Sequence, residues 1–469
     1  MFLWQRYASS PTLQHKIALR DEQGNAFTWQ QIADHINQLA FSLQQQGVSS
    51  QSGVALYCKN SLPALLLYLA TIQLGARVMG VNPAFPVDKM QQLCQLYQIQ
   101  FYYAPQLDKP RDKISQNLTA LFVDFGDKSA SGDLFVTWDQ ARPATMTLTS
   151  GSTGTPKAVV HSVQAHLDNA RGVCQLMQFS AENSWLLSLP LYHVSGQGIV
   201  WRWLTVGAQL HLPQSDFYYS VTQASHISLV PTQLQRFLHY LQAQQINHFK
   251  TRHILLGGSN IPLNLTQALA PLKIKSYSGY GMTEMASTAF AKVSDLRQGV
   301  GQPLLGREWK IVNDEIWLRG KGLALGYWQQ GDVVSLLNEQ GWFATKDKGC
   351  WQDNELVVLG RMDNMFISGG ENIQPEEVEQ VILAHKNIEQ AFVLPMDDAE
   401  FGQRPVAMIK FKEPFSQSAV KNLADWLSVR LERFKQPVKY FPLNVENSQQ
   451  GIKISRHLLK NELHKLLGK

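Results

Sequence analysis

Cysteine is scarce in this chain: there are four in 469 residues, Cys58, Cys94, Cys174 and Cys350, far apart and with no CxxC pair. That argues against a structural zinc site and a disulfide framework and fits a reducing, cytoplasmic setting. Long apolar runs are missing too. The longest, around residues 62–72, is too short to cross a bilayer, and the first sixteen residues hold Arg6 and polar side chains without an apolar core, so no transmembrane or export segment is expected. Neither sign of charge dominates, with Lys+Arg 42 against Asp+Glu 37 and no clustering, so no nucleic-acid partner is indicated. There is no tandem repeat and no low-complexity tract. A chain of 469 residues exceeds what one core usually serves, so two or more domains are expected. Assembly into a homo-oligomer is left open.

What the chain does have is a run of hydroxyls, glycines and one lysine: Thr147, Leu148, Thr149, Ser150, Gly151, Ser152, Thr153, Gly154, Thr155, Pro156 and Lys157, followed by Ala158, Val159 and Val160. Glycines let backbone N–H groups converge on an anion, Ser and Thr add donors, and lysine adds a point charge. A flexible linker has similar composition. The order is not that of a P-loop, which closes on Gly-Lys-Ser/Thr.

Hydrophobic patterning predicts α/β architecture. Thr28 and Gln31 form a capping box ahead of Ile32, Ile36, Leu39, Ala40 and Leu43, with Gly47 as the stop. Strands at 54–57 and 77–81 flank a buried helix at 61–74, in the manner of parallel βαβ units. Further strands are expected at 185–189, 227–230 and 254–256, with a helix over 231–241. From about 300 to 361 short strands, including 315–318 and 356–359, are broken by Gly-rich turns, which suggests a small β-rich subdomain. The tail 453–469 reads as a basic amphipathic helix with Leu458, Leu459, Leu463 and Leu466 on one side.

Six segments then occur in a telling order. After the 147–157 loop come Ser278-Gly279-Tyr280-Gly281-Met282-Thr283-Glu284, a Gly-Tyr-Trp at 326–328, Thr345-Lys346-Asp347, Gly360-Arg361-Met362-Asp363 running into Ser368-Gly369-Gly370, and Lys453-Ile454-Ser455-Arg456. Together they resemble the signature of the adenylate-forming superfamily of acyl-CoA ligases, luciferases and peptide-synthetase adenylation domains. The last segment departs from the commoner form, since Ile452 stands where that form has Gly. The resemblance implies a large N-terminal domain, 1–361, of parallel αβ-layered subdomains plus the β-rich one, and a small mobile α+β domain, 362–469.

It also implies ATP, Mg²⁺ and coenzyme A as reactants, with a small carboxylic acid as the other partner. By that resemblance Thr149, Ser150, Gly151, Ser152, Thr153, Gly154 and Lys157 hold phosphates; Thr283 lies beside them and Glu284 is the metal carboxylate. Tyr280 meets the adenine, Gly281 belongs to the same nucleotide site, and Asp347, assisted by Arg361, meets the ribose. Lys453 acts in adenylate formation, Asp363 is the hinge, and Gly369 and Gly370 line the path of the thiol. His193, in Leu191-Tyr192-His193-Val194-Ser195-Gly196, stands where acyl- and aryl-CoA ligases carry an aromatic or His beside the carboxylate. The 189–204 segment resembles a branch whose acid is a dianion, so one carboxylate must sit unreacted; Arg202 and Arg236 are its basic candidates, with Gly257 and Gly258 also in the acyl pocket. Another aryl- or fatty-acyl ligase, a carrier-loading adenylation domain and a nucleotide-binding regulator are the competing readings.

Overall fold

A computed structural model describes residues 1–107, 117–123, 139–149, 156–258, 261–369, 371–398, 400–443 and 456–467. Ser150, Gly151, Ser152, Thr153, Gly154, Gly370 and Lys453 lie outside the described residues. By its contacts the chain divides into two compact units, Met1–Glu308 with Arg319–Gly341, and Trp309–Leu318 with Trp342–Lys469. The sequence placed a boundary after residue 361; by contacts residues 309–318 and 342–361 group with the C-terminal part of the chain.

The first unit is built on two large sheets. One has eight strands, ordered Asp332–Val334, Gly326–Gln329, Lys157–Ser162, Pro143–Thr149, Arg77–Val81, Gly53–Tyr57, Phe101–Tyr103, Thr119–Ala120. From Pro143–Thr149 to its Thr119–Ala120 end the pairing is parallel. Every residue of Gly53–Tyr57 and Arg77–Val81 is buried, as central parallel strands require. The other sheet has nine strands, ordered Gln302–Pro303, Ser287–Val293, Lys275–Met282, His253–Leu256, His226–Leu229, Ser184–Leu186, Gln209–His211, Ile17–Arg20, Ala26–Thr28, with a parallel centre and antiparallel edges.

The capping signals hold at atomic detail. Helix Trp29–Gln45 opens with Gln31 N donating to Thr28 Oγ1 at 3.3 Å and Thr28 N donating to Gln31 Oε1 at 2.8 Å. Helix Leu62–Gln73, buried from Ala64 to Gln73, is capped by Ser61. Its apolar run is core, and among the described residues no helix is long and apolar enough to cross a membrane. Helix Val194–Val206 is buried almost throughout, and Trp203 stacks on Trp29 with centroids 5.1 Å apart, which locks this helix and the side chains it carries into the core.

One expected strand is shorter than its apolar run. The ladder of 185–189 ends at Leu186, Leu187 N makes one more bond to His211 O at 2.8 Å, and beyond it the backbone groups are taken by Asn60. Its amide donates to Leu187 O at 3.2 Å and Leu189 O at 2.9 Å, and its oxygen accepts from Leu191 N at 2.9 Å.

In the second unit, strands Arg307–Val312, Glu315–Gly320, Phe343–Gln352 and Glu355–Arg361 form the small sheet expected from the Gly-rich turns, to which the first two contribute residues 309–318. A further sheet, ordered Glu371–Ile373, Phe366–Ser368, Gly402–Phe411, Ile388–Asp398, with Tyr440–Pro442 beside Gly402–Phe411, packs helices Pro375–Leu383 and Gln417–Ser428. The last helix is Arg456–Leu466. Only Leu459 and Leu463 bury, each 1% exposed, while Leu458 and Leu466 face outward, so the apolar stripe is narrower than its four leucines suggested.

Candidate active site

Residues 150–155 fall between two antiparallel strands, Pro143–Thr149 and Lys157–Ser162, whose end residues Thr149 and Lys157 are register partners. A P-loop runs from strand to helix, so the two cradles differ in architecture. Thr149 Oγ1 donates to Lys157 O at 3.4 Å, and the Tyr97 hydroxyl donates to Pro156 O, anchoring the start of the second strand. Lys157 Nζ sits 4.9 Å from the Tyr327 ring centroid, and the Tyr327 hydroxyl donates to Glu284 Oε1 at 2.9 Å. The lysine after the loop and the acid of the distant Thr-Glu motif therefore meet through one tyrosine.

Thr283 and Glu284 stand in a short 3₁₀ turn, Thr283–Met285, after strand Lys275–Met282. The reversal is tight: Ala286 has φ 53° and Ser287 φ 125°, left-handed values costly for side-chain-bearing residues. Gly281 is obligatory, because a Cβ there would stand 1.9 Å from Ser287 O. Three hydrogen bonds from two side chains hold the turn. Asn169 Nδ2 reaches Met285 O at 2.7 Å and Thr288 O at 2.9 Å, and His161 Nε2 lies 2.7 Å from Thr283 O. A carbonyl only accepts, so that nitrogen carries the proton. Burial, partly offset by this bond, pushes His161 down to about 4 and keeps it neutral. Tyr280 is half-buried, its ring 6.3 Å from that of Phe290.

His193 is the N-cap of helix Val194–Val206, and burial lowers it to about 4, so it too is a neutral imidazole. One turn on, Gln197 Nε2 donates to Thr147 Oγ1 and to Leu191 O, both at 3.1 Å, tying the strand before the phosphate loop to the His193 segment. Arg202, on the same helix, is 1% exposed. Its Nη1 and Nη2 reach Ser228 Oγ at 3.3 Å and Ser287 Oγ at 3.4 Å, its Nε has no partner among the described residues, and it lies 4.9 Å from the Trp185 ring centroid. No carboxylate among the described residues pairs with it. Burial lowers its pKa to about 10, with Cys174 opposing and Arg307 reinforcing that shift. Arg236, by contrast, is exposed on helix Pro231–Ala243, beside Tyr218. Gly257 and Gly258 follow strand His253–Leu256, Gly258 with φ 86°.

The second unit brings Asp347, Arg361 and Asp363 together. Asp347 is 8% exposed and accepts from Arg361 Nη1 at 3.0 Å. The same guanidinium donates from Nε and Nη2 to Asp363 at 3.1 and 3.2 Å. Burial disfavours the Arg361 cation, but Asp363 and Asp347 outweigh it and raise its pKa, while Arg361 lowers that of Asp363 against its own burial. Gly369, with φ 57°, donates from its N–H to Phe401 O at 2.9 Å, and a Cβ there would stand 2.7 Å from the Phe401 ring.

Mg²⁺ binds through one or two carboxylates plus phosphate oxygens and keeps several waters. Glu284, backed by one tyrosine, fits that donor set, and no group of three acidic, His or Cys ligands occurs among the described residues. Sequence reasoning gave no role to Tyr327, His161, Asn169, Gln197 or Asn60. Tyr327 carried a signal as the middle of the Gly-Tyr-Trp segment, and Gln197 lay within the 189–204 segment; the other three carried none.

The model of the AMP-binding enzyme family matches residues 7–328, and that of the AMP-binding enzyme C-terminal domain matches 377–445. The chain is 59% identical over 465 residues to the 2-succinylbenzoate–CoA ligase of Haemophilus influenzae, covering 99% of each, and 44% identical to that of Escherichia coli, covering 95% of this chain and 94% of the relative. Among solved structures, an Escherichia coli MenE variant with bound OSB-AMS superposes with a TM-score of 0.88 at 41% identity, covering 98% of both chains. MenE from Bacillus subtilis in complex with the acyl-adenylate intermediate OSB-AMP gives 0.85 at 25% identity, covering 98% of this chain and 97% of that one.

Proposed function

The chain belongs to the AMP-binding enzyme family, and we propose that it joins 2-succinylbenzoate to coenzyme A in menaquinone biosynthesis, an AMP-forming acid–thiol ligation. In the first half-reaction one substrate carboxylate attacks the α-phosphate of ATP, forming the acyl-adenylate and releasing pyrophosphate. In the second, the coenzyme A thiol attacks the acyl carbonyl and AMP leaves. The cytoplasm is the expected location, in keeping with four cysteines that are all free, three of them buried.

Thr149, Lys157 and the 150–154 loop bind the phosphates that leave, and Lys453 supplies positive charge as the carboxylate attacks. Glu284 is the protein ligand for Mg²⁺, which when bound neutralises phosphate charge. Tyr280 and Gly281 lie against the adenine, Thr283 beside the α-phosphate. Asp347, oriented by Arg361, accepts from the ribose diol. His193, neutral, sits beside the reacting carboxylate, and Asp363 is the pivot between half-reactions, after which Gly369 and Gly370 admit the thiol arm.

The observation that carries the substrate assignment is Arg202: a guanidinium sealed in the core with no carboxylate partner among the described residues is an energetic liability that a second, unreacting carboxylate of the substrate would relieve. Arg202 is therefore assigned to the aromatic carboxylate and the reaction to the succinyl one. The test is competition for kcat/KM between 2-succinylbenzoate and the analogue lacking the aromatic carboxylate. Preference for the dianion supports the assignment; equal use of both, or better use of a medium-chain fatty acid, leaves only the broader acyl-CoA ligase reading.

A further inference from the structure

Helix Arg456–Leu466 begins with an arginine, where the helix dipole disfavours a cation. Two glutamates on one face of helix Pro375–Leu383, three residues apart, hold it there. Arg456 Nη2 lies 2.6 Å from Glu379 Oε1 and 3.3 Å from Glu376 Oε1. Its Nη1 donates to Val393 O at 2.7 Å, while Val393 N donates back to Glu379 Oε1 at 2.7 Å. Val393 belongs to strand Ile388–Asp398, at the end of its sheet, so these bonds also close the backbone of an edge.

The cluster extends backward to the turn that holds Asp363. Glu376 Oε1 accepts from Asn364 Nδ2 at 2.5 Å, and Gln374 Nε2 donates both to Glu376 and to Arg361 O, the latter at 3.0 Å. Stability alone is a poor reason to keep such charges. The three side chains are only 12 to 21% exposed, and apolar replacements of buried ion clusters are often neutral or stabilising. A geometric duty is the better reason, and Arg456 stands three residues after Lys453.

We propose that Glu379, Glu376 and Arg456 are positioning residues for adenylate formation, clamping the downstream end of the segment that carries Lys453 and tying it to the Arg361–Asn364 turn. The inference rests on the proposed role of Lys453. It assigns the cluster to the first half-reaction, because the transfer to coenzyme A starts from an adenylate already made.

The test compares full-length wild type with Arg456→Ala, Glu379→Gln, Arg456→Lys and Lys453→Ala. Pyrophosphate release measures the first half-reaction, and thioester formation from supplied acyl-adenylate and coenzyme A measures the second. Misplacing a reacting group by an ångström costs about 100-fold, so Arg456→Ala and Glu379→Gln are expected to slow pyrophosphate release by about that factor with thioester formation near wild type. Arg456→Lys, which keeps the charge but can satisfy only part of the fork, should recover part of the loss. If Arg456→Ala does not fold, the Glu379→Gln and Arg456→Lys pair decides. Unchanged pyrophosphate release, or equal losses in both half-reactions, overturns the positioning role. If Lys453→Ala leaves pyrophosphate release intact, the Lys453 reading fails and this one with it; if Lys453→Ala slows it and the cluster variants do not, only the positioning inference is lost.

Discussion

Replacing Arg202 with methionine should move stability and catalysis in opposite directions. Methionine keeps much of the apolar stem and fills the space beside Trp185 while removing a cation that is 1% exposed and, among the described residues, hydrogen-bonded only to two serine hydroxyls at 3.3 and 3.4 Å. Without substrate, the wild-type protein bears the desolvation cost of that charge, so the variant should melt at the same temperature or higher, as replacements of buried ions often do. With substrate, the variant loses a charge-assisted contact to the aromatic carboxylate, about 1.5 to 3 kcal/mol, or roughly 10- to 150-fold in kcat/KM. The analogue without that carboxylate should lose far less. Thermal melting of the ligand-free protein and steady-state kinetics on both acids give the comparison. A variant that loses equally on both acids, or melts well below wild type, would refute the reasoning: the arginine would then be a packing or network residue.

The same geometry predicts other outcomes. Glu284→Gln should raise the Mg²⁺ concentration needed for half-maximal pyrophosphate release, because a neutral amide is a weaker ligand for a hard cation; an unchanged Mg²⁺ dependence would remove Glu284 as ligand. Asp363→Pro should spare pyrophosphate release and depress thioester formation, since proline fixes φ and drives the preceding Met362 out of the 3₁₀ turn Met362–Asn364; equal rates in both steps would place the pivot elsewhere. His161, His193, His211 and His226 are all lowered by burial to about 4. Their stabilisation is present above the unfolded value near 6.5 and is lost as pH falls toward 4, at about 1.4 kcal/mol per pH unit for each. Glu379, raised by burial to about 7, opposes this singly, its contribution being present below about 4.5 and lost as pH rises through 7. Urea midpoints should therefore be lower at pH 5 than at pH 6.5, and equal midpoints would contradict the neutral-histidine core.

The legible parts of this chain are those governed by local rules. The Thr28–Gln31 box, the Gly47 stop and the strands at 54–57 and 77–81 each depend on residues within a few positions, and each forms as read. Long-range satisfaction of polar groups was not legible. Asn60 ends a strand more than a hundred residues away by taking its carbonyls, and His161 secures the Thr283 turn from another sheet. Neither partner leaves a mark in the other's neighbourhood. Motif order located Lys157, Glu284, Asp347 and Arg361, but that Tyr327 links the first two, and that Arg361 ties Asp347 to Asp363, required coordinates. Arg202 and Arg236 looked alike as basic candidates for the second carboxylate; burial separated them.

The central claim is that this protein makes an acyl-adenylate and passes the acyl group to coenzyme A. The most direct measurement is mass spectrometry of the purified full-length protein incubated with 2-succinylbenzoate, ATP, Mg²⁺ and coenzyme A, with nucleotide products quantified alongside. The account predicts the 2-succinylbenzoyl thioester, one AMP per thioester, and accumulation of the acyl-adenylate when coenzyme A is withheld. ADP in place of AMP, an acylated protein as the intermediate, or no thioester from this acid while another is consumed would contradict it.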